Sequence, residues 1–175
     1  MKINLKKMNK LIVLFSIVFA TISCSNAQEK ENFSEKTLAM QLKNTDNQEV
    51  VFKDVVNKFK GKTIVIEVWA SWCGDCVKAM PKMKELQKQN PNLVYLFISM
   101  DKEYSKWIEG IKKHELIGEH IWANDLKMMK GEFGKSIDLD WIPRYMIIDK
   151  NQKIVLYRAI ETDFDKINAT LKELK

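Results

Sequence analysis

Cys73 and Cys76 stand close together, with only Gly74 and Asp75 between them. Two thiols at that spacing can close a small disulfide ring and reopen it, which is redox chemistry, provided one of them sits where its thiolate is stabilised. The same pair also fits half of a zinc site or a static structural bridge. A structural zinc site takes four ligands, usually a second cysteine pair or paired histidines. The other candidates are Cys24, His114 and His120, at unsuitable spacing, so no metal ligand set is assigned.

The flanking residues decide how the thiols are held. From Thr63 to Val68 the chain is β-branched with almost no polar interruption, which suits a strand buried on both faces; Glu67 is the exception. After Cys76, apolar residues recur at Val77, Met80, Met83 and Leu86, with Lys78, Lys82, Lys84 and Lys88 among them. That period predicts a helix carrying Cys76 in its first turn and Cys73 at its N-terminus. Unpaired backbone N–H groups and the positive end of the helix dipole stabilise a thiolate there, lowering the thiol pKa below its free value of about 8.5. Cys73 is the expected nucleophile.

Val68-Trp69-Ala70-Ser71-Trp72-Cys73-Gly74-Asp75-Cys76 resembles the active site of the thioredoxin superfamily. Gly61-Lys62 ahead of the strand, Met80-Pro81 after the cysteines and the longer layout downstream resemble the membrane-anchored TlpA-like thiol-disulfide oxidoreductases of bacterial envelopes. The resemblance runs from roughly residue 38 to the C-terminus. It implies an α/β thioredoxin-like fold: a central mixed sheet with flanking helices, an N-terminal β-hairpin extension and a central αβ insertion. It also implies a cycle in which Cys73 attacks a substrate disulfide and Cys76 resolves the mixed disulfide.

The resemblance assigns further residues. Pro143, in Trp141-Ile142-Pro143, matches the superfamily's cis-proline, with the Ile142 backbone free to pair with an extended substrate. Trp72 and Trp141 flank the cysteines, and Trp72 is counted with Ile142 and Pro143 as substrate-binding. Glu67, six residues before Cys73, occupies the place of thioredoxin's buried acid and is the proton-transfer candidate; the alternative is a glutamate turned outward or paired with a lysine such as Lys84. Gly74 and Asp75 tune the redox behaviour. Asp75 replaces the common proline, and a carboxylate near Cys73 opposes thiolate formation, which favours a reductant. No cofactor is implied beyond the Cys73–Cys76 disulfide. The implied partners are protein thiols or disulfides and a membrane-bound electron donor or acceptor.

At the amino end, residues 1–10 carry four lysines and no acid, residues 11–20 are apolar apart from Ser16, and Cys24 follows a small residue. This predicts an export signal over 1–23 whose apolar core, about ten residues, is shorter than the roughly 20 needed to span a bilayer. Its end resembles a bacterial lipoprotein processing site, which implies a lipidated Cys24 holding the protein on a membrane of the cell envelope, facing the periplasm. Residues 24–35 then form a lipidated N-terminus and tether, and 36–175 the thioredoxin-like domain. Lipidation of Cys24 leaves no odd thiol in an exported chain. The four signal lysines supply most of the formal net charge of +6. With no basic patch of interleaved aromatics, nucleic acid is not an expected partner.

The remaining elements read in order as a hairpin from 38–42 and 50–52, a short helix capped by Asp54, and a strand over 93–99 after Asn90-Pro91-Asn92. A helix over 105–114, a strand over 120–123 and a second helix over 125–133 follow. Last come a strand after Pro143, a turn at Asp149-Lys150-Asn151-Gln152, a strand over 153–157 and a helix over 163–174. Strand, helix, strand makes a right-handed crossover, so the cysteines lie beyond the carboxyl ends of the strands. His114 and His120 read as surface or packing residues. Two other classes share these features in part: a redoxin-type thiol peroxidase, which activates a single cysteine with nearby Thr and Arg, and a copper-delivery or redox-inert binding lipoprotein.

Overall fold

The sheet is built around the apolar run ahead of the cysteines. In the computed structural model, which describes residues 30–175, that run is strand β3, Ile64–Trp69, with all six side chains buried. Among the described residues, seven strands form one mixed sheet: β1 (Gln41–Asn44), β2 (Glu49–Val51), β3, β4 (Val94–Ser99), β5 (Glu119–Trp122), β6 (Arg144–Ile148) and β7 (Ile154–Ala159). Their order is β2-β1-β5-β4-β3-β6-β7. β3 runs parallel to β4 and antiparallel to β6, so Glu67 lies opposite Phe97 on one side and Tyr145 on the other. The expected α/β thioredoxin-like architecture is the observed one.

The helices are α1 (Glu35–Leu38), α2 (Phe52–Asn57), α3 (Gly74–Gln89), α4 (Tyr104–His114), α5 (Glu132–Ser136) and α6 (Phe164–Glu173). α3 is the crossover between β3 and β4. It buries Cys76, Ala79, Met80, Met83 and Leu86, the face its apolar period foretells, although Val77 is only partly covered. Pro81 lies inside this helix on the exposed side. Asn90 ends it, its side-chain amide donating to the Leu86 carbonyl at 3.1 Å. The last helix buries Phe164, Ile167 and Leu171 as expected.

Four expectations need correction. The hairpin starts later, at Gln41, because residues 35–38 form a helical turn capped by Ser34, whose hydroxyl accepts from the Thr37 N–H at 3.0 Å. It also joins the main sheet through β1 and β5. Asp54 is not the cap of α2: the Phe52 N–H still pairs with Met40 O at 2.9 Å, so the strand runs directly into the helix and Asp54 falls in its first turn. There its charge still favours the helix dipole.

The single helix expected over 125–133 is replaced by a loop organised by Asp125, a 3-10 turn at Met128–Lys130 and the short α5. The Asp125 carboxylate accepts from the Lys127 N–H at 2.8 Å and the Glu132 N–H at 2.9 Å, taking donors a continuous helix would have needed. Gly131 passes so close that a Cβ there would fall 2.0 Å from Asp125 Oδ2.

Finally, residues 30–35 pack against the domain: Phe33 meets Phe52 edge-on at 5.1 Å, and Glu31 O accepts from the Ile154 N–H at 2.8 Å. The export signal, Cys24 and the first part of the expected tether lie outside the described residues.

Candidate active site

β3 delivers the chain to the carboxyl edge of the sheet, where Ala70-Ser71-Trp72 turns it into α3. The turn is held by Asp101, just beyond β4. Its buried carboxylate accepts from the Ser71 N–H at 3.0 Å, the Ser71 hydroxyl at 2.7 Å and the Ser99 hydroxyl at 2.8 Å. The Trp122 indole N–H donates to the Asp101 carbonyl at 2.6 Å, tying in β5. α4 approaches the turn so closely that a Cβ on Gly110 would lie 2.7 Å from Ser71 Cβ. The turn is thus fixed by hydrogen bonds from one side and by packing from the other.

Cys73 is the N-cap of α3, its sulfur accepting from the Cys76 N–H at 3.1 Å. The two cysteines are paired as a disulfide. Cys73 retains 6% exposure and Cys76 none, so only Cys73 meets solvent. A helix N-terminus, with a backbone donor aimed at the sulfur, stabilises negative charge there when the pair is reduced.

The Ile142–Pro143 bond is cis, as expected, and the Ile142 carbonyl oxygen lies 3.5 Å from Cys73 Sγ. Trp72 and Trp141 are 52% and 49% exposed, which leaves apolar surface open on this edge. A cavity of about 390 Å³ opens beside Trp72, lined also by Ser71, Asp101, Lys102, Lys106 and Met128.

Beneath the site, Glu67 is only 2% exposed. The Tyr145 hydroxyl donates to Oε1 at 3.4 Å, while Oε2 has no hydrogen-bond partner among the described residues. Burial pushes this carboxyl up to about 8, against the opposing pull of the Tyr145 hydrogen bond. A carboxyl so placed holds a proton at neutral pH and can exchange it. Lys84, the alternative partner for Glu67, instead pairs with Glu115 at 3.0 Å.

Asp75 sits partly exposed in the first turn of α3 and pairs with Lys78 at 3.2 Å, so its charge is partly compensated. His120 stacks on Phe97 with ring centroids 5.1 Å apart. Its Nε2 lies 3.2 Å from the Leu116 carbonyl, and burial lowers its pKa. It is a packing residue, as expected.

Three side chains at the site went unassigned by sequence reasoning. Asp101 follows an apolar strand and looks like a loop residue; Ser99 just before it was the available signal of a polar cluster. Tyr145 reads as one more apolar position of β6. Arg144, directly after Pro143, is buried with its guanidinium donating to Asp140. Its Nε and Nη1 are buried with no hydrogen-bond partner among the described residues. Among the described residues, no three His, Cys, Asp or Glu side chains converge as a metal site.

Residues 25–171 match the family described as redoxin. The chain is similar to the thiol-disulfide oxidoreductase ResA of Bacillus thuringiensis subsp. konkukian, with 22% identity over 95% of this chain and 99% of that protein. Among solved structures it resembles a thiol-disulfide oxidoreductase from Bacteroides fragilis, with 25% identity and a TM-score of 0.64, covering 78% of this chain and 96% of that one. In fold it also resembles a secreted disulfide oxidoreductase of Mycobacterium tuberculosis, at 15% identity and a TM-score of 0.61, covering 81% and 100% of the two chains.

Proposed function

The chain belongs to the redoxin family, and from that premise we propose that it is a thiol-disulfide oxidoreductase that reduces protein disulfides outside the cytoplasm. The observation that carries the reading is the asymmetry of the pair: Cys73 caps the helix and meets solvent, while Cys76 is fully buried one turn inside.

In the cycle, the Cys73 thiolate attacks one sulfur of a substrate disulfide. A Cys73–substrate bond forms, and the other substrate sulfur leaves as a thiolate. The ionised fraction of Glu67 takes the Cys76 proton, and the Cys76 thiolate attacks the Cys73 sulfur, breaking the Cys73–substrate bond and releasing the substrate sulfur as a thiolate. The Cys73–Cys76 disulfide closes, the substrate departs reduced, and both electrons have passed from the dithiol to the substrate. In the reverse half, a donor dithiol opens the disulfide and protonated Glu67 returns its proton to Cys76. A carboxyl pushed up to about 8 suits both directions near neutral pH.

Trp72, Ile142 and Pro143 form the receiving surface in this reading, the Ile142 backbone pairing with an extended substrate segment. Gly74 and Asp75 tune the potential. The envelope location rests on the predicted export signal and on the ResA-like and secreted relatives. Lipidated Cys24 anchors the protein, and a membrane-bound partner exchanges electrons with it.

Turnover of insulin disulfides in the presence of dithiothreitol tests the reading. Catalysis is expected for the parent and lost in Cys73→Ser. Peroxide consumption without insulin reduction would favour a thiol peroxidase. Stoichiometric copper uptake without insulin reduction would favour a binding protein.

A further inference from the structure

The cis-proline stands on a short loop that is tied at both ends. Arg144 follows it as the first residue of β6, with its backbone opposite Val68 of β3. The buried Arg144 side chain turns back to donate through Nη2 to the Asp140 carboxylate, four residues earlier. This ion pair closes a ring around Trp141, Ile142 and Pro143, and β3 holds one end of it. From β7, Arg158 donates to the other Asp140 oxygen at 3.1 Å and to the Asp138 carbonyl at 3.0 Å. The Tyr157 hydroxyl donates to the Asp138 carboxylate at 3.1 Å, fixing the approach to the loop.

We propose that Arg144, Asp140 and Arg158 form a clamp of positioning residues that holds the Ile142–Pro143 backbone beside Cys73, in register for an extended peptide carrying the target disulfide. The inference rests on the proposed reduction of protein disulfides for its functional meaning. Its geometric basis is the seat of Ile142, whose carbonyl oxygen lies 3.5 Å from Cys73 Sγ, inside the span the clamp closes. A backbone that pairs with a substrate strand beside the reacting sulfur has little room to shift. In such a site a displacement of about 1 Å can cost about 100-fold in rate.

Burial makes the clamp stiff. Among the described residues, Arg144 Nε and Nη1 have no hydrogen-bond partner, and Asp140 is the one acceptor its guanidinium reaches. Moving the loop outward strands that charge, and a buried charge without a partner is strongly destabilising. Asp140 itself is largely exposed, so it can be replaced without opening the core.

Asp140→Ala removes the acceptor that both arginines share. Two disulfides then separate positioning from chemistry: insulin, which presents a peptide backbone, and hydroxyethyl disulfide, which has none. Pre-reduced protein is mixed with each, and the loss of its free thiols is followed by alkylation and mass spectrometry. The second-order rate constant is expected to fall about tenfold with insulin and to stay within about twofold of the parent with hydroxyethyl disulfide. In the oxidised protein, the NMR order parameters of the Trp141 and Ile142 amides should fall from the rigid value of about 0.85 toward about 0.6.

Equal slowing with both disulfides would put the effect at the dithiol rather than the loop, and an unchanged rate with insulin would make the clamp a bystander; either overturns the proposal. Order parameters that Asp140→Ala leaves unchanged overturn it as well. Should Asp140→Ala fail to fold, Arg158→Gln, at a half-exposed site, removes one arm of the clamp and decides by the same two readings. A parent that does not react with insulin refutes the proposed function instead, and the order parameters then decide whether the clamp holds the loop.

Discussion

Replacing Glu67 by glutamine keeps the shape of the buried side chain and removes its proton exchange, so the clearest consequence is in how stability depends on pH. In the unfolded chain this carboxyl ionises near 4.5, whereas in the fold burial holds its proton until about 8. Between those values the folded state binds more protons than the unfolded one. Stability is therefore fully present below the unfolded value, falls as pH rises through the window, and levels off above the folded value.

At about 1.4 kcal/mol per pH unit, the window sets a ceiling of about 5 kcal/mol on that loss. Water reaching the ionised site reduces it, and we expect about 2–4 kcal/mol. His120 works in the opposite sense, since burial lowers its pKa and its contribution is lost as pH falls below the ordinary histidine range. Both proteins carry His120, so it cancels in the difference between them. Urea unfolding of the oxidised parent and of Glu67→Gln, extrapolated at each pH from 5 to 9, supplies that difference. The variant should gain on the parent steadily as pH rises. A difference that stays constant across the range would refute the raised carboxyl and the proton role built on it.

Other outcomes follow from the same structure. Asp75→Pro removes a carboxylate whose charge Lys78 already offsets at 3.2 Å. The reduction potential should therefore move by less than about 30 mV, the equivalent of roughly 1.4 kcal/mol for this couple; a larger shift in a glutathione redox titration would show the charge acting unscreened on Cys73. Asp101→Ala strips the acceptor from the Ser71 N–H and from the hydroxyls of Ser71 and Ser99. It should cost about 3 kcal/mol in urea unfolding, and a loss below about 1 kcal/mol would mean the turn holds without it. Cys24→Ser should release the protein from membranes and remove the mass of a lipid, and unchanged fractionation with unchanged mass would sink the lipidated anchor.

The active-site strand, turn and helix were legible because each carried a local signature: a β-branched run, a cysteine pair and an apolar stripe at helical spacing. The cis bond at Pro143 came from resemblance, since nothing in Trp141-Ile142-Pro143 distinguishes it locally. Misplaced elements were those where a side chain overrode the local period. Asp125 captures two backbone donors and divides a helix that the residues around it would otherwise form. The turn at 149–152, by contrast, was legible without a glycine, Gln152 taking its positive φ of 65°. Asp101 and Tyr145 were missed for another reason. Their importance comes from partners 30 and 78 residues away, Ser71 and Glu67, which only the sheet register brings together.

The central claim is that Cys73 attacks and Cys76 resolves, and trapping tests it most directly. Reduced Cys76→Ser is mixed with insulin, quenched with acid, and its adduct mapped by mass spectrometry after digestion. A mixed disulfide on Cys73 that persists until dithiothreitol is added is the predicted result, with Cys73→Ser forming none under the same conditions. No adduct on Cys73, or an adduct on Cys76 in Cys73→Ser formed just as fast, would contradict the account.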